Sequence, residues 1–296
     1  MHRIRHYKIN GKIVWDRIKK IDLLTGSEQN NNGRTDLNDD PTATLVEGLY
    51  QFDSILQQWV ICPHVPLVSD DSKTSSGKDV CLPERCHMLT WNILFDYHHS
   101  SRIHTKQRYA AIVETLKSLL PDVICLQEVT MPFLKLLLEQ SWLQEHHYFV
   151  LIMQNILKDQ KENSYGQLLL TKNIRPRSFS FLPMDLSANS ADNNSSKRLL
   201  IARFGLNAKV TIDLVNLHLH SNRSKNSQQK RCETLKNLFD RFQTKNYMLI
   251  GDFNFGDYDE RETDLLNGYE QDVHDLWKKT YNLEQVITFR NQNLFV

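Results

Sequence analysis

Apolar and polar residues follow regular patterns mainly in the larger, second part of the chain, which begins near residue 86. Short apolar or alternating runs predict strands at 87–92, 122–126, 149–153, 165–171, 199–204, 210–217 and 247–250. Amphipathic spacing predicts helices at 108–120, 132–139 and 227–242. Because several consecutive strands have no helix between them, we expect two packed sheets with helices outside them, and not one purely parallel sheet.

The first 85 residues have a different composition and fall into two parts. Residues 1–24 contain an alternating stretch around Asn10-Gly11, a dipeptide that predicts a two-residue β-hairpin. Residues 25–85 are predicted to be a linker and an extended connecting segment, because two stretches within them have almost nothing to bury. We therefore expect the main domain to occupy residues 86–296.

The composition is that of an ordinary globular protein. Of the 296 residues, 40% are hydrophobic and 24% are charged. The formal net charge of +1 removes the simplest argument for nucleic-acid binding, which is a basic field over the whole surface. A local basic patch is still compatible with this charge, although the same residues are equally well interpreted as a solvated face. The candidates are Arg198, Arg223, Lys225, Lys230 and Arg231.

Features of membrane and secreted proteins are missing from the sequence pattern. No apolar run approaches the roughly 20 residues that cross a bilayer. The charged N-terminus is not followed by the apolar segment of a secretory signal. The five cysteines are scattered and odd in number, which predicts free thiols in a reducing compartment. We therefore expect an intracellular protein, in the nucleus or the cytoplasm, that has no contact with a membrane.

Four of the predicted strands end in polar residues that suit phosphate chemistry. Asn92 ends one strand, Glu128, His218 and Asp252 each come within two residues of the end of another, and Asn254 follows Asp252 by two residues. Strand ends in a layered fold converge on one edge of the sheets, where a pocket can form. Oxygen ligands suit Mg²⁺, whereas His218 and Asp252 suit phosphate contact and proton transfer. Taken singly, each of these residues is also an ordinary cap, turn or strand-end residue.

The same residues lie in five short motifs. These are Thr90-Trp91-Asn92, Leu126-Gln127-Glu128-Val129, Tyr165-Gly166-Gln167-Leu168-Leu169, Asn216-Leu217-His218-Leu219 and Gly251-Asp252-Phe253-Asn254. In content and order they resemble the motifs of the endonuclease/exonuclease/phosphatase superfamily, over roughly residues 86–296. Within it, residues 121–129 and 218–221 most resemble the tyrosyl-DNA phosphodiesterase 2 family. The resemblance implies an α/β fold, a four-layer sandwich in which two β-sheets lie face to face between outer helices.

The resemblance also implies a role for each matched residue. Glu128 would be the main ligand of Mg²⁺, or of Mn²⁺ as the alternative ion, with Asn92 beside the metal and the scissile phosphate. Asp252 would be the general acid/base, Asn254 would orient the nucleophile or the phosphate, and His218 would hold a phosphate oxygen. These roles predict metal-dependent hydrolysis of a phosphodiester at a DNA or RNA end, with a 5′-tyrosyl end as the best candidate.

Three further residues are candidates for substrate contact by the same resemblance. Ser221 and Arg231 would either contact the nucleic-acid backbone or stabilise the site. Phe255 lies where a base could stack on an aromatic ring. A loop aromatic that packs on its own domain is an equally good interpretation of Phe255.

The chain departs from the resembled family at two places. Leu94 stands where that family has an Asp, and Asp96 is displaced by two residues, so a second acidic group at the metal has no match. No segment after Asp252 matches the closing Ser-Asp-His strand, and we expect the sandwich to lack its last strand. Residues 2–17 are similar to the end of a small domain that recognises RNA cyclic-phosphate ends, so residues 1–24 are predicted to be a remnant of such a domain.

Three functions fit this sequence. The first is the nucleic-acid phosphodiesterase described above. The second is another enzyme of the same superfamily, such as an RNA exonuclease or a small-phosphate phosphatase, because a fold does not fix a substrate. The third is a catalytically inactive binding module, which the unmatched closing strand and Leu94 favour. The sequence indicates no protein partner.

Overall fold

The computed structural model describes residues 6–9, 12–16, 21–22, 45–63, 81–97, 103–157, 164–184, 198–223, 226–242, 245–256, 259–269 and 273–274. The strands are β1 (His6–Ile9), β2 (Lys12–Asp16), β3 (Ile21–Asp22), β4 (Gly48–Asp53), β5 (Gln58–Ile61), β6 (Met88–Asn92), β7 (Val123–Val129), β8 (Tyr148–Ile152), β9 (Gly166–Lys172), β10 (Ser178–Pro183), β11 (Arg198–Gly205), β12 (Thr211–His218) and β13 (Tyr247–Asp252). The helices are α1 (Thr105–Leu119), α2 (Met131–Leu138), α3 (Ser141–Glu145), α4 (Gln154–Leu157), α5 (Ser227–Phe242) and α6 (Glu260–Gly268).

Ten of these strands form two mixed sheets. The six-stranded sheet has the order β5-β4-β8-β9-β7-β6, and the four-stranded sheet has the order β10-β11-β12-β13. Within them, β6 runs parallel to β7 and β12 runs parallel to β13, while the other pairs are antiparallel. The first three strands form a separate small sheet. In that sheet β1 and β2 pair with Ile9 opposite Lys12, which confirms the predicted hairpin.

Side-chain alternation along the strands explains the layers. On β7, Val123 and Cys125 point into a core between the two sheets, whereas Ile124 and Leu126 point into a second core under α1, α2 and α3. On the four-stranded sheet, Ile250 faces the core between the sheets, whereas Tyr247 and Leu249 of β13 pack with α5 in a third core. Helix, sheet, sheet and helix therefore follow one another, and the predicted four-layer α/β sandwich is confirmed.

The described structure departs from the predicted boundaries at the start of the domain. Residues 48–61, which the sequence analysis placed in the connecting segment, form the hairpin of β4 and β5 and belong to the six-stranded sheet. The segments of β10, α3, α4 and α6 were not predicted as regular elements. Residues 275–296, where a closing strand was expected to be missing, lie outside the described residues.

The cysteine thiols and the lengths of the helices bear on the sequence-based predictions about redox state and membrane contact. All five cysteines have free thiols, as their number and spacing predicted. Burial raises the pKa of Cys86 to about 11, with the charge of Asp122 adding to the effect. Among the helices of the described ranges, none is both long enough and apolar enough to cross a membrane.

Candidate active site

Asn92, Glu128, His218 and Asp252 lie at the ends of four strands that meet at one edge of the sandwich. Asn92 ends β6, and Glu128 is the last residue but one of the adjacent strand β7. His218 ends β12 and is the register partner of Asp252, which ends β13. Each sheet therefore delivers two polar side chains to this edge.

Hydrogen bonds and close contacts join these side chains across the two sheets. The Asn92 Nδ2 donates to Glu128 Oε1 at 3.0 Å and to Asp252 Oδ2 at 2.8 Å. The His218 Nε2 lies 3.6 Å from Glu128 Oε1 and 3.9 Å from Asp252 Oδ2. The Glu128 and Asp252 side chains are 12% and 17% exposed, so both carboxylates keep some contact with the exterior. The structure brings these four candidates together, while their chemical roles stay predictions.

Glu128 reaches this edge because β7 contains a bulge. The pairing of β7 with β9 shifts between Leu126 and Val129, where β7 has one residue more than its partner. Glu128 lies in the bulge with a left-handed φ of 59°, and bulges commonly redirect a side chain in this way. Its Oε2 accepts the backbone N–H of Phe95 at 3.2 Å, which ties the carboxylate to the loop after β6.

Gly251 allows β12 and β13 to approach each other next to the site. Its φ is 147°, and a Cβ atom there would lie 2.0 Å from the carbonyl oxygen of Leu217. A side chain at this position would push the two strands apart. The glycine of the Gly-Asp-Phe-Asn motif is therefore needed to keep Asp252 beside His218.

Asn254 holds the loop that follows β13. Its backbone N–H donates to Asp252 Oδ1 at 2.9 Å, and its Nδ2 donates to the Leu219 carbonyl oxygen at 2.9 Å. Its φ is 55°, a conformation that costs a non-glycine residue roughly 1–3 kcal/mol in general and that the surrounding contacts must maintain. The predicted role of Asn254 toward the nucleophile or the phosphate stays a prediction.

Two buried amides, for which the sequence predicts no role, connect the sheets directly behind the site. Gln127 Nε2 donates to Asn216 Oδ1 at 2.8 Å, and both residues are fully buried. Asn216 Nδ2 in turn donates to the carbonyl oxygens of Leu126 and Leu168. The signal was an amide inside each apolar strand. Because buried polar groups need partners, these amides fix the position of β7, which carries Glu128, relative to β12, which carries His218.

Three aromatic rings stand beside the carboxylates, and they too were missed. Phe95 stacks on Tyr165, with ring centroids 5.0 Å apart and planes at 15°, and Tyr97 lies 5.5 Å from Phe95. The Tyr165 ring is 6.0 Å from that of His218. Burial, and next the charge of Asp96, raise the pKa of Tyr97 to about 12. Burial and the charge of Glu128 raise the pKa of Tyr165, so both phenols are neutral at physiological pH.

The donor set at this edge fits a divalent cation such as Mg²⁺. Within the described ranges, no three His, Cys, Asp or Glu side chains are arranged to hold a metal ion by themselves. Mg²⁺ does not need such a cage, because it takes one or two carboxylates and completes its shell with water and substrate phosphate. Glu128 and Asp252 converge on a single amide donor, and a cation would offset the repulsion between these two negative charges.

Leu94 occupies the position where the resembled family has an acidic residue. It is 36% exposed and has a left-handed φ of 59°. Its N–H donates to Asn92 Oδ1 at 3.0 Å, and its carbonyl oxygen accepts from Arg108 Nη2 at 2.8 Å. The backbone of Leu94 therefore positions Asn92, although its side chain has no oxygen to offer a metal.

Arg231 lies in the protein interior, whereas a contact with nucleic acid would require an exposed side chain. It is fully buried on α5, and its Nε donates to Glu262 Oε1 at 2.7 Å. Its Nη1 donates to the carbonyl oxygen of His220 and to Asn222 Oδ1. A guanidinium group without exposed surface cannot contact a nucleic acid bound at the protein surface, so the predicted contact of Arg231 with the nucleic-acid backbone is wrong. The other predicted role, stabilising the site, is the one that these contacts support.

The remaining candidates are distributed around the site. Phe255 is half-buried, packs against the third core and meets Phe253 edge to face at 5.8 Å, which favours the packing interpretation. Ser221 is half-buried in the loop after β12, and its role stays a prediction. Of the candidate basic patch, Arg198 is paired with Glu47 at 2.6 Å and Arg231 is buried, so that patch loses two of its positive charges.

Comparisons with known proteins agree with this architecture. A profile of the Endonuclease/Exonuclease/phosphatase family matches residues 89–284, more than half of the chain. No curated protein matches the sequence. A humanized TDP2 from D. rerio is similar with a TM-score of 0.51 and 17% identity, over 71% of this chain and 81% of that one. The human Nocturnin catalytic domain with a bound sulfate anion gives 0.51 and 15%, over 73% and 83%.

A third solved structure, an endonuclease/exonuclease/phosphatase family protein from Leptotrichia buccalis, has a TM-score of 0.50 and 15% identity, over 71% of this chain and 87% of that one. The structural similarity to these three proteins establishes a shared fold. Because the sequence identities are low, it leaves the substrate undetermined.

Proposed function

Since this chain belongs to the endonuclease/exonuclease/phosphatase family, we propose that it hydrolyses a phosphodiester at a nucleic-acid end with the help of a divalent cation. The observation that carries the proposal is the convergence of two carboxylates, an amide and an imidazole. These side chains come from four strand ends and lie within 4 Å of one another in the pairs given above.

Each side chain of the group has a task in this reaction. The chemistry that a bound cation supplies is neutralisation of the charge that develops on phosphate oxygens in the transition state. Glu128 holds the cation, with Asn92 beside it. His218 donates a hydrogen bond to a phosphate oxygen, and Asp252 accepts the proton of the attacking water. Asn254 orients the phosphate or the nucleophile from the loop after β13.

We propose a 5′ end of DNA or RNA as the substrate, with a tyrosyl group as the leaving group. The motifs at residues 121–129 and 218–221 support this choice, since they resemble those of the tyrosyl-DNA phosphodiesterase 2 family. RNA is included because residues 2–17 resemble a domain that recognises RNA ends. The near-neutral net charge of +1 indicates that the contact with nucleic acid is local to the site.

Binding of Mg²⁺ to the folded protein is the first test. At a concentration about 100-fold above its Kd, Mg²⁺ is expected to add about 2.7 kcal/mol of stability. For a domain of this size that is a rise in Tm of roughly 5–10 °C, measured by differential scanning fluorimetry. Glu128→Ala is expected to abolish the rise, whereas Glu114→Ala, the same change at an exposed position of α1, is expected to retain it. A rise that survives in Glu128→Ala would place the cation elsewhere.

Hydrolysis is measured separately on a labelled single-stranded oligonucleotide with a 5′-phosphotyrosyl end. We expect cleavage with Mg²⁺, none with EDTA and none by Glu128→Ala. Unmodified RNA and a small phosphomonoester serve as competing substrates, and faster turnover of either would favour another enzyme of the family. A folded protein that binds Mg²⁺ and turns over none of these substrates would support the binding module.

A further inference from the structure

The rings of Phe95, Tyr97 and Tyr165, here called the aromatic wall, are not part of the hydrophobic cores. Among the residues that the structure describes, the three cores between and outside the sheets contain none of these rings. All three are half-buried. Ligand-binding sites are commonly lined by aromatic side chains that remain partly exposed.

Two loops of different strands build the aromatic wall and hold it together. Phe95 and Tyr97 come from the loop after β6, and Tyr165 directly precedes β9. The Tyr97 hydroxyl donates to the carbonyl oxygen of Ser164, which joins the two loops. The stacking of Phe95 on Tyr165 is a second link between them. The rings are therefore arranged before any ligand binds, so that little conformational freedom is lost on binding.

The aromatic wall also has a fixed position relative to the phosphate site. The backbone N–H of Phe95 donates to Glu128 Oε2, and the Tyr165 ring lies 6.0 Å from the His218 ring. A phosphate that accepts a hydrogen bond from His218 would thus have the rings at a distance of one ester substituent. A flat substituent at that place can stack, whereas an alkyl group gains little from the ring faces.

We propose that the aromatic wall binds a planar ring carried by an ester substituent of the scissile phosphate and thereby selects nucleotide or aryl phosphodiesters over esters whose substituents carry no planar ring. The inference rests on the proposed function for the location of the phosphate. The ring is either the base of the terminal nucleotide or the phenol of the leaving group, and these two sources share the same recognition chemistry.

Equilibrium binding to the full chain, measured by isothermal titration calorimetry, tests the aromatic wall without turnover. The probes are thymidine 5′-phosphate, O-phosphotyrosine and 2-deoxyribose 5-phosphate, which carry a base, a phenol and no ring. We expect at least one ring-bearing probe to bind about 10-fold tighter than the sugar phosphate. The probe with the larger advantage identifies the source of the ring. Equal affinity for all three would overturn the inference.

Variants then assign the preference to these residues. Tyr165→Leu is expected to reduce the ring preference to about twofold or less, because the stacking surface is lost. Tyr165→Phe keeps the ring and should keep the preference, as should Phe52→Leu, which removes a half-buried ring on the β4–β5 hairpin. A preference that persists in Tyr165→Leu would contradict the inference. If the ring preference is found but no phosphodiester is hydrolysed, the proposed function fails and the aromatic wall stands.

Discussion

Asp252→Asn is expected to lower kcat for phosphodiester hydrolysis by about 1,000-fold, the central range for removal of a general base. The change keeps the shape of the side chain but removes its ability to accept a proton. Both carboxylate oxygens now face N–H donors, from Asn92 and from the backbone of Asn254. An amide would turn its own NH₂ toward one of these donors, so KM is expected to change less than kcat but not to be unaffected. Steady-state kinetics with saturating Mg²⁺ measures both parameters.

The matched control for this prediction is Asp264→Asn, the same chemical change at an exposed position of α6. We expect it to keep the activity of the unmodified protein. The circular dichroism spectrum of Asp252→Asn should show the secondary structure of the unmodified protein. Only one hydrogen bond is made unfavourable, which lowers the free energy of unfolding by about 1–3 kcal/mol. A kcat reduced by only a few fold in a folded Asp252→Asn protein would exclude Asp252 as the proton acceptor.

The layers of the fold were predictable where strands bury both faces. The run around β7 is apolar on successive residues, because alternate side chains enter two different cores. Helix α6 was not predictable in this way, since only Glu262 among its nine residues is buried and no apolar stripe marks it. Strand β10 is half-exposed along most of its length and ends in Pro183, so its pattern was weak.

The convergence of the site residues could be predicted from the sequence, but their surroundings could not. Asn92, Glu128, His218 and Asp252 were recognisable because each polar residue comes at the end of an apolar strand. The rings of the aromatic wall belong to loops, where no periodicity connects residue 95 with residue 165. The partner of Arg231 lies 31 residues away on another helix, and a single arginine on an amphipathic helix is normally a surface residue.

Glu262→Ala is expected to destabilise the protein by about 3–5 kcal/mol, because it leaves the buried Arg231 guanidinium without its counter-charge. Both side chains have no exposed surface, and the Arg231 Nη2 lies 2.5 Å from Glu262 Oε1. The free energy of unfolding follows from urea titration monitored by tryptophan fluorescence. Glu260→Ala, an exposed glutamate in the same helix, is the control and should cost well under 1 kcal/mol.

The double variant Arg231→Met/Glu262→Leu separates the charge effect from the loss of packing. Removing both charges leaves no ion buried alone, so we expect it to be more stable than either of its single variants, Arg231→Met or Glu262→Leu. Some loss should remain, since the carbonyl oxygen of His220 no longer receives the Arg231 hydrogen bond. That carbonyl lies two residues after His218, so kcat/KM of the double variant should fall even under conditions where the protein remains fully folded. If the loss of stability in the double variant equals the sum of the losses in Arg231→Met and Glu262→Leu, the two side chains contribute independently through packing, and the ion pair has no specific role beside the site.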